Sequence, residues 1–277
     1  MPAKDAGPRD SGKREDDMLD STRHAAFRAL RLWGLVIALT LAASTAQAQG
    51  KKFDLDENFP LRVEDELTTP PGGFTFQGAF IYEHGEDGAD LFELEPALKY
   101  GLMERMEVEV ASPFLLGDAD DRGSGDVTAS LQYTLNENAR WVPAVSLKGS
   151  LAFPTGELSE GLDPTLKIIA SWGLGPDQRH RVHANAAWTR NFEPLAGERD
   201  NGWLYLLGYS YRLNDKWLVL ADIWREETIL TDEEINLAEA GLIYEVNDRL
   251  SLAAGAGGGF GDESPEVRAS TAFQLNF

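Results

Sequence analysis

The stretch Val267-Arg268-Ala269-Ser270-Thr271-Ala272-Phe273-Gln274-Leu275-Asn276-Phe277 decides the fold. Successive side chains of an extended strand point to opposite sides. Val267, Ala269, Thr271, Phe273, Leu275 and Phe277 therefore share one face, and Arg268, Ser270, Ala272, Gln274 and Asn276 share the other. The first face is greasy and closes on an aromatic ring; the second is small and wet. Soluble β-sandwiches alternate too, so the pattern has to be followed through the chain before its solvent is chosen.

It recurs almost everywhere after Gly73. Phe74, Phe76, Gly78, Phe80 and Tyr82 oppose Thr75, Gln77 and Ala79. Val127, Ala129, Leu131, Tyr133 and Leu135 oppose Asp126, Thr128, Ser130, Gln132 and Thr134. Altogether about twelve runs of about 9 to 12 residues emerge, each the length of a tilted strand that crosses a bilayer. They begin near Phe74, Leu91, Met106, Asp126, Trp141, Thr165, Val182, Trp203, Trp217, Ile235, Leu250 and Val267. The run from Trp217 carries apolar residues on both faces, and its phase stays open; Leu204 and Leu206 likewise blur the run from Trp203.

Connections alternate in kind. Tyr133-x-Leu135-Asn136, Tyr211-x-Leu213-Asn214 and Tyr244-x-Val246-Asn247 mark tight turns, with Tyr100-x-Leu102 a weaker copy, because Asn accommodates turn geometry. The opposite connections are longer and acidic, with Asp118, Asp120, Asp121, Glu226, Glu227, Asp232, Glu233 and Glu234 among them. Short turns on one side and long loops on the other predict an all-β, antiparallel up-and-down transmembrane barrel of about twelve strands. Tyr100, Tyr133, Trp141, Tyr211, Trp217, Tyr244 and Phe277 are its expected aromatic girdle, since such rings settle at membrane interfaces. Phe273, Leu275 and Phe277 resemble the terminal signal read by the barrel-assembly machinery, an expected partner along with outer-membrane lipid and lipopolysaccharide.

The N-terminus reads as an address. Arg23, Arg28 and Arg31 precede the apolar run Leu32–Ala43, and Ala46-Gln47-Ala48 follows it. This is a secretory signal with cleavage expected after Ala48; Met1 and Met18 are both candidate starts. The expected divisions are 1–48 for extension and signal, 49–72 for an acidic periplasmic lead-in, and 73–277 for the barrel.

The chain has 277 residues, no cysteine, four His and a net charge of −21. Losing residues 1–48 removes seven bases and six acids, so the exported part carries −22. Such acidity argues against nucleic acid as a partner, and the lack of thiols excludes disulfides and thiolate metal sites. No cofactor is expected. Outer-membrane lipase barrels set a His and a Ser two residues apart on one strand, but His183 is followed by Asn185, so an enzyme is disfavoured.

With apolar faces toward lipid, the lumen should receive Glu93, Glu95, Glu107, Glu109, Asp126, Asp222 and Glu239, with Lys99, Lys148, Lys167, Arg212 and Arg268. A tight turn at Leu102–Glu104 would set Lys99 roughly opposite Glu107. Two readings of this interior stand side by side. The charges line a wetted path for small solutes, the acidic excess favouring cations or neutral molecules; or they neutralise one another in a plugged, structural wall. The loop acids likewise either share divalent cations with lipopolysaccharide or form a solvated rim.

Gly123-Ser124-Gly125-Asp126-Val127 followed by Tyr133, the exit Phe153-Pro154-Thr155-Gly156, and the Tyr-x-Leu-Asn turns resemble the phenol meta-pathway family of outer-membrane barrels. The resemblance runs from about Gly73 to Phe277. It implies a barrel, often called a transporter, near aromatic-degradation or transport functions. It assigns no substrate or catalytic residues, and the acidic charge weighs against an anionic aromatic solute.

Overall fold

The computed structural model describes residues 53–117, 123–139, 141–156, 161–192, 194, 196–231, 233–261 and 263–277. The expected signal, its cleavage site, both candidate starts, Asp118, Asp120, Asp121 and Asp232 lie outside those residues.

The strands are β1 (Phe74–His84), β2 (Asp90–Met103), β3 (Met106–Ala111), β4 (Phe114–Gly117), β5 (Gly123–Ser124), β6 (Val127–Asn136) and β7 (Ala144–Phe153). They continue as β8 (Asp163–Leu174), β9 (His180–Arg190), β10 (Asn201–Arg212), β11 (Trp217–Glu227), β12 (Glu234–Glu245), β13 (Leu250–Gly259) and β14 (Val267–Asn276). β3 and β4 both pair with β2 and form one stave; β5 and β6 form another. Fourteen segments thus make twelve staves, each antiparallel to its neighbours, and β1 pairs with both β2 and β14 to close the ring. Closure leaves no sheet edge, as hydrocarbon requires of any strand that crosses it.

The two breaks have local causes. Pro113 has no amide hydrogen for the ladder, and its carbonyl accepts from the Gly125 amide at 2.8 Å. Asp126, read from the sequence as the start of a lumen-facing run, falls in the second break. The fifth stave starts at Ala144 rather than Trp141. Pro143 interrupts there, and Trp141 sits in the preceding turn, 81% exposed.

The turn signals act through side-chain oxygens. Asn214 Oδ1 accepts from the amides of Lys216 and Trp217 at 2.9 and 3.1 Å, and Asn247 Oδ1 accepts from Arg249 and Leu250 at the same two distances.

Alternation sorts the two faces as the period dictates. On β14, Arg268, Ser270 and Gln274 are buried, while Val267 and Phe273 are exposed. On β11 the open phase resolves with Leu218, Leu220 and Trp224 buried inside and Val219 and Ile223 exposed outside. The apolar residues inside β10 and β11 have a partner the sequence reading did not supply. Of residues 49–72, expected to form a periplasmic lead-in, Phe53–Thr69 instead run through the interior. Phe53, Leu55, Phe59, Leu61 and Val63 are buried with Leu204, Leu206, Leu218, Leu220, Trp224, Leu237 and Ile243 in one cluster.

Candidate functional site

The inner segment, Phe53–Thr69, enters and leaves on the side of the tight turns. Near that side, Gln274 Nε2 donates to Asp56 Oδ2 at 3.0 Å, and the Thr69 amide donates to Glu107 Oε2 at 2.7 Å. Farther up, Arg268 donates to Asn58 Oδ1 at 3.0 Å and Arg62 donates to Glu226 Oε2 at 2.7 Å. The chain therefore climbs, reverses around Phe59–Leu61 and descends. The Asp65 amide ties the two arms together by donating to the Leu55 carbonyl at 2.9 Å.

Two unlike walls hold it. The first is the apolar arc of β10–β12. Burying each large apolar side chain against it contributes about 1.5–3 kcal/mol. Room is made by glycine. A Cβ on Gly255 would stand 2.5 Å from Leu61 Cδ2, and one on Gly208 would stand 2.6 Å from Val63 Cγ2. Gly255 of β13 and Gly208 of β10 thus leave space for the inner segment.

The second wall is charged. Lys148 Nζ donates to Glu64 Oε2 at 2.9 Å. Lys167 Nζ reaches Glu57 Oε2 at 2.7 Å and also pairs with Glu64. Arg181 opens its fork to two neighbours, Asp65 Oδ2 at 2.8 Å and Glu66. Lys99 pairs with Asp56 and lies 3.4 Å from Glu109. Main-chain groups join in: Asp222 Oδ2 accepts from the Val63 amide, and Asn185 both donates to the Glu64 carbonyl and accepts from its amide, all at 3.0 Å. Paired charges avoid most of the cost that an isolated buried charge would carry.

The residues expected in the lumen divide into three groups. Lys99, Lys148, Lys167, Glu107, Glu95, Asp222 and Arg268 touch the inner segment or pair with it. Glu239 binds the wall, accepting from Arg268 Nη1 at 2.7 Å and Trp224 Nε1 at 2.9 Å. Glu109 lies between Lys99 and Lys148 at 3.4 and 3.5 Å, and Glu93 is half-buried two residues before Glu95. Arg212 and Asp126 stand at the rims. Arg212 donates to the Asp177 carbonyl at 3.0 Å beside a tight turn. Asp126 Oδ1 accepts from the Thr155 and Gly156 amides at 3.1 and 3.0 Å. The partner of Lys99 across the strand is Glu109, not Glu107, because the turn falls on Glu104 and Arg105, with Met103 paired to Met106.

Sequence reading missed Arg181 and the acids Glu57, Glu64, Asp65 and Glu66. The available signal was Phe53-x-Leu55 and Phe59-x-Leu61-x-Val63, apolar residues alternating with polar and charged ones in a segment read as free.

Among the girdle residues, Tyr100 packs on Phe74 at 4.7 Å, Tyr211 on His180 at 4.6 Å and Trp217 on Tyr244 at 4.5 Å between ring centres. Tyr133 is exposed. Phe273 meets Phe76 at 5.7 Å, Leu275 pairs with Phe76 across the β1–β14 seam, and the Phe277 amide donates to Phe74 O at 2.8 Å. His183 is fully buried between Ser171 Oγ at 2.9 Å and Ser210 Oγ at 3.0 Å. His180 lies on the other face, 2.6 Å from the Tyr209 hydroxyl, so the two imidazoles do not converge.

Above Arg62 a cavity of about 310 Å³ faces the long-loop side. Its floor is Glu57, Arg62 and Lys167, and its walls include Thr165, Asn191, Arg199 and Glu227.

A closed ring of twelve staves with an apolar outer face defines a transmembrane β-barrel. The family profile described as "Putative MetA-pathway of phenol degradation" matches residues 42–277. The chain belongs to that family. Its sequence motifs meet in space: Asp126 of the Gly-Ser-Gly-Asp opener caps Thr155 and Gly156 of the Pro-Thr-Gly exit.

Solved structures share the fold. An outer membrane channel from Pseudomonas putida F1 is 17% identical, with a TM-score of 0.57 over 81% of this chain and 100% of its own. The KdgM porin, solved in complex with disordered oligogalacturonate, is 9% identical, with a TM-score of 0.55 over 73% of this chain and 99% of its own. The NanC porin is 9% identical, with a TM-score of 0.53 over 74% of this chain and 98% of its own. No curated protein matches the sequence.

Proposed function

We propose that the protein is an outer-membrane channel for passive passage of small solutes, held shut by its own N-terminal segment. One observation carries this reading. The wall does not fill its own interior: it offers glycine, serine and alanine at Gly208, Gly255, Ser146, Ser270, Ala144 and Ala272, and one separate segment occupies the space. That segment joins the barrel at the Thr69–Gly73 corner. It can leave the lumen without unpairing a stave, whereas a sealed wall has no such removable part. The porins and the outer-membrane channel among the structural neighbours support the reading.

A second reading keeps the segment as permanent filling, making the barrel a structural element of the membrane. The buried ion pairs favour it. Planar bilayers separate the two. Passage predicts rare conductance steps in the intact protein and frequent, larger ones in a chain lacking residues 53–69. Silence from both chains, each folded, would leave the structural reading.

A further inference from the structure

We infer that the passage takes organic anions: small molecules with a carboxylate and an apolar body, whose place in the lumen the inner segment fills. The inference rests on the passage reading above and names its solute class.

Charge is distributed unevenly around the lumen. The arc β6–β10 presents Ser130, Gln132, Thr134, Ser146, Asn185 and Ser210 as buried uncharged polar groups. Into the same arc three adjacent staves place Lys148, Lys167 and Arg181, each buried. The inward carboxylate on these five strands is Asp163 at the loop-side end of β8. Wall carboxylates concentrate elsewhere: Arg268 meets Glu239 at 2.7 Å and Glu83 at 3.0 Å, Lys99 meets Glu109 at 3.4 Å, and Glu95, Glu107 and Asp222 accept from the inner segment.

The three cations of the arc depend on the inner segment. Lys148 meets Glu64 at 2.9 Å and the wall's Glu109 only at 3.5 Å. Lys167 meets Glu57 and Glu64, and Arg181 meets Asp65 and Glu66. When the segment withdraws, these carboxylates leave and the cations stay among hydroxyl and amide groups, with Glu109 3.5 Å from Lys148. Three neighbouring cations without carboxylate partners attract an incoming carboxylate, and the Arg181 fork can grip it through two parallel bonds.

The adjoining inner faces of β10 and β11 set the rest of the solute. Leu204, Leu206, Leu218, Leu220 and Trp224 now hold Phe53, Leu55, Phe59, Leu61 and Val63. The lumen therefore accommodates acidic groups along β7–β9 and apolar bulk along the adjoining β10–β11, and an amphipathic organic acid presents both. This reverses the preference for cations or neutral solutes expected from the acidic composition, because many of the acids near the path belong to its stopper.

Reversal potentials across a KCl gradient test the inference, with benzoate as the probe. The chain lacking residues 53–69 should prefer chloride over potassium several-fold, and millimolar benzoate should reduce its chloride current. Lys148→Gln/Lys167→Gln/Arg181→Gln in that chain should abolish both effects. Conductance without anion preference overturns the inference and leaves passage standing. Silence from a deleted chain that still shows heat-modifiable gel migration overturns passage itself. If the deletion prevents folding, Glu57→Gln/Glu64→Gln/Asp65→Asn/Glu66→Gln in the full chain carries the test, since it keeps the apolar contacts. Its openings should be anion-selective, and cation selectivity there overturns the inference.

Discussion

Lys148 and Glu64 are 84 residues apart in the chain and 2.9 Å apart in the lumen, both buried. Their ion pair joins the wall of the barrel to the segment inside it. An ion pair of this kind is retained because each charge is costly without the other, more than because the pair adds net stability. It also supplies a geometry that the segment can leave as a unit.

Glu64→Gln should loosen the segment and leave the barrel intact. The loss should be about 2 kcal/mol, below the roughly 3–5 kcal/mol of a wholly isolated broken pair, because Glu57 and Glu109 still face the two lysines. Hydrogen exchange at the amides of Val63 and Asp65 should accelerate, while exchange in β6–β9 stays slow. Adding Lys148→Met should recover part of the protection. Equal acceleration throughout the strands would show that the segment and barrel open together.

Gly255→Val should expel the tip of the segment. Its Cβ alone would stand 2.5 Å from Leu61 Cδ2 and 3.0 Å from Ser270 Oγ, and overpacking of this sort costs about 1–3 kcal/mol. The chain has no cysteine, so an Asn58→Cys reporter is clean. A maleimide added outside should label it slowly in the parent and faster with Gly255→Val. Unchanged labelling would mean that the tip yields without leaving.

Asp126→Ala should free the Phe153–Gly156 exit by removing acceptors for the Thr155 and Gly156 amides. Two hydrogen bonds at about 0.5–1.5 kcal/mol each are at stake. Proteolysis between residues 154 and 162 should quicken, with heat-modifiable migration retained. Complete loss of the folded band would show that this contact organises the whole barrel.

Asn214→Ala and Asn247→Ala should each slow folding into detergent micelles by similar factors, because both remove the same pair of turn bonds. Unequal effects would show that one of the two turns is fixed by its surroundings instead.

The barrel was legible in the sequence because its solvent lies outside. Val267 to Phe277 alternates cleanly: lipid takes one face and water-compatible groups the other, and strand length is tied to membrane thickness. The same logic failed at β10 and β11. Leu204, Leu206, Leu218 and Leu220 face inward against an apolar partner about 140 to 165 residues earlier in the chain, where no local period could show it. The lumen residues were recognised by phase, yet their partners were not. Arg181 and Glu66 lie in segments that look unrelated until the chain is threaded through its own barrel. The Lys99 register slipped for a smaller reason, a turn placed at Glu104 and Arg105 rather than around Met103.

The central claim, that residues 53–69 stop the lumen reversibly, is tested most directly by locking them in place. Val63 Cβ lies 3.2 Å from where a Cβ on Gly208 would stand, near the separation of about 3.8 Å found in disulfides. Val63→Cys/Gly208→Cys in the otherwise thiol-free chain should form that bond under oxidation. Oxidised protein in planar bilayers should stay silent, and adding a reductant should restore conductance steps. A bond that forms while conductance is the same before and after reduction would contradict that claim.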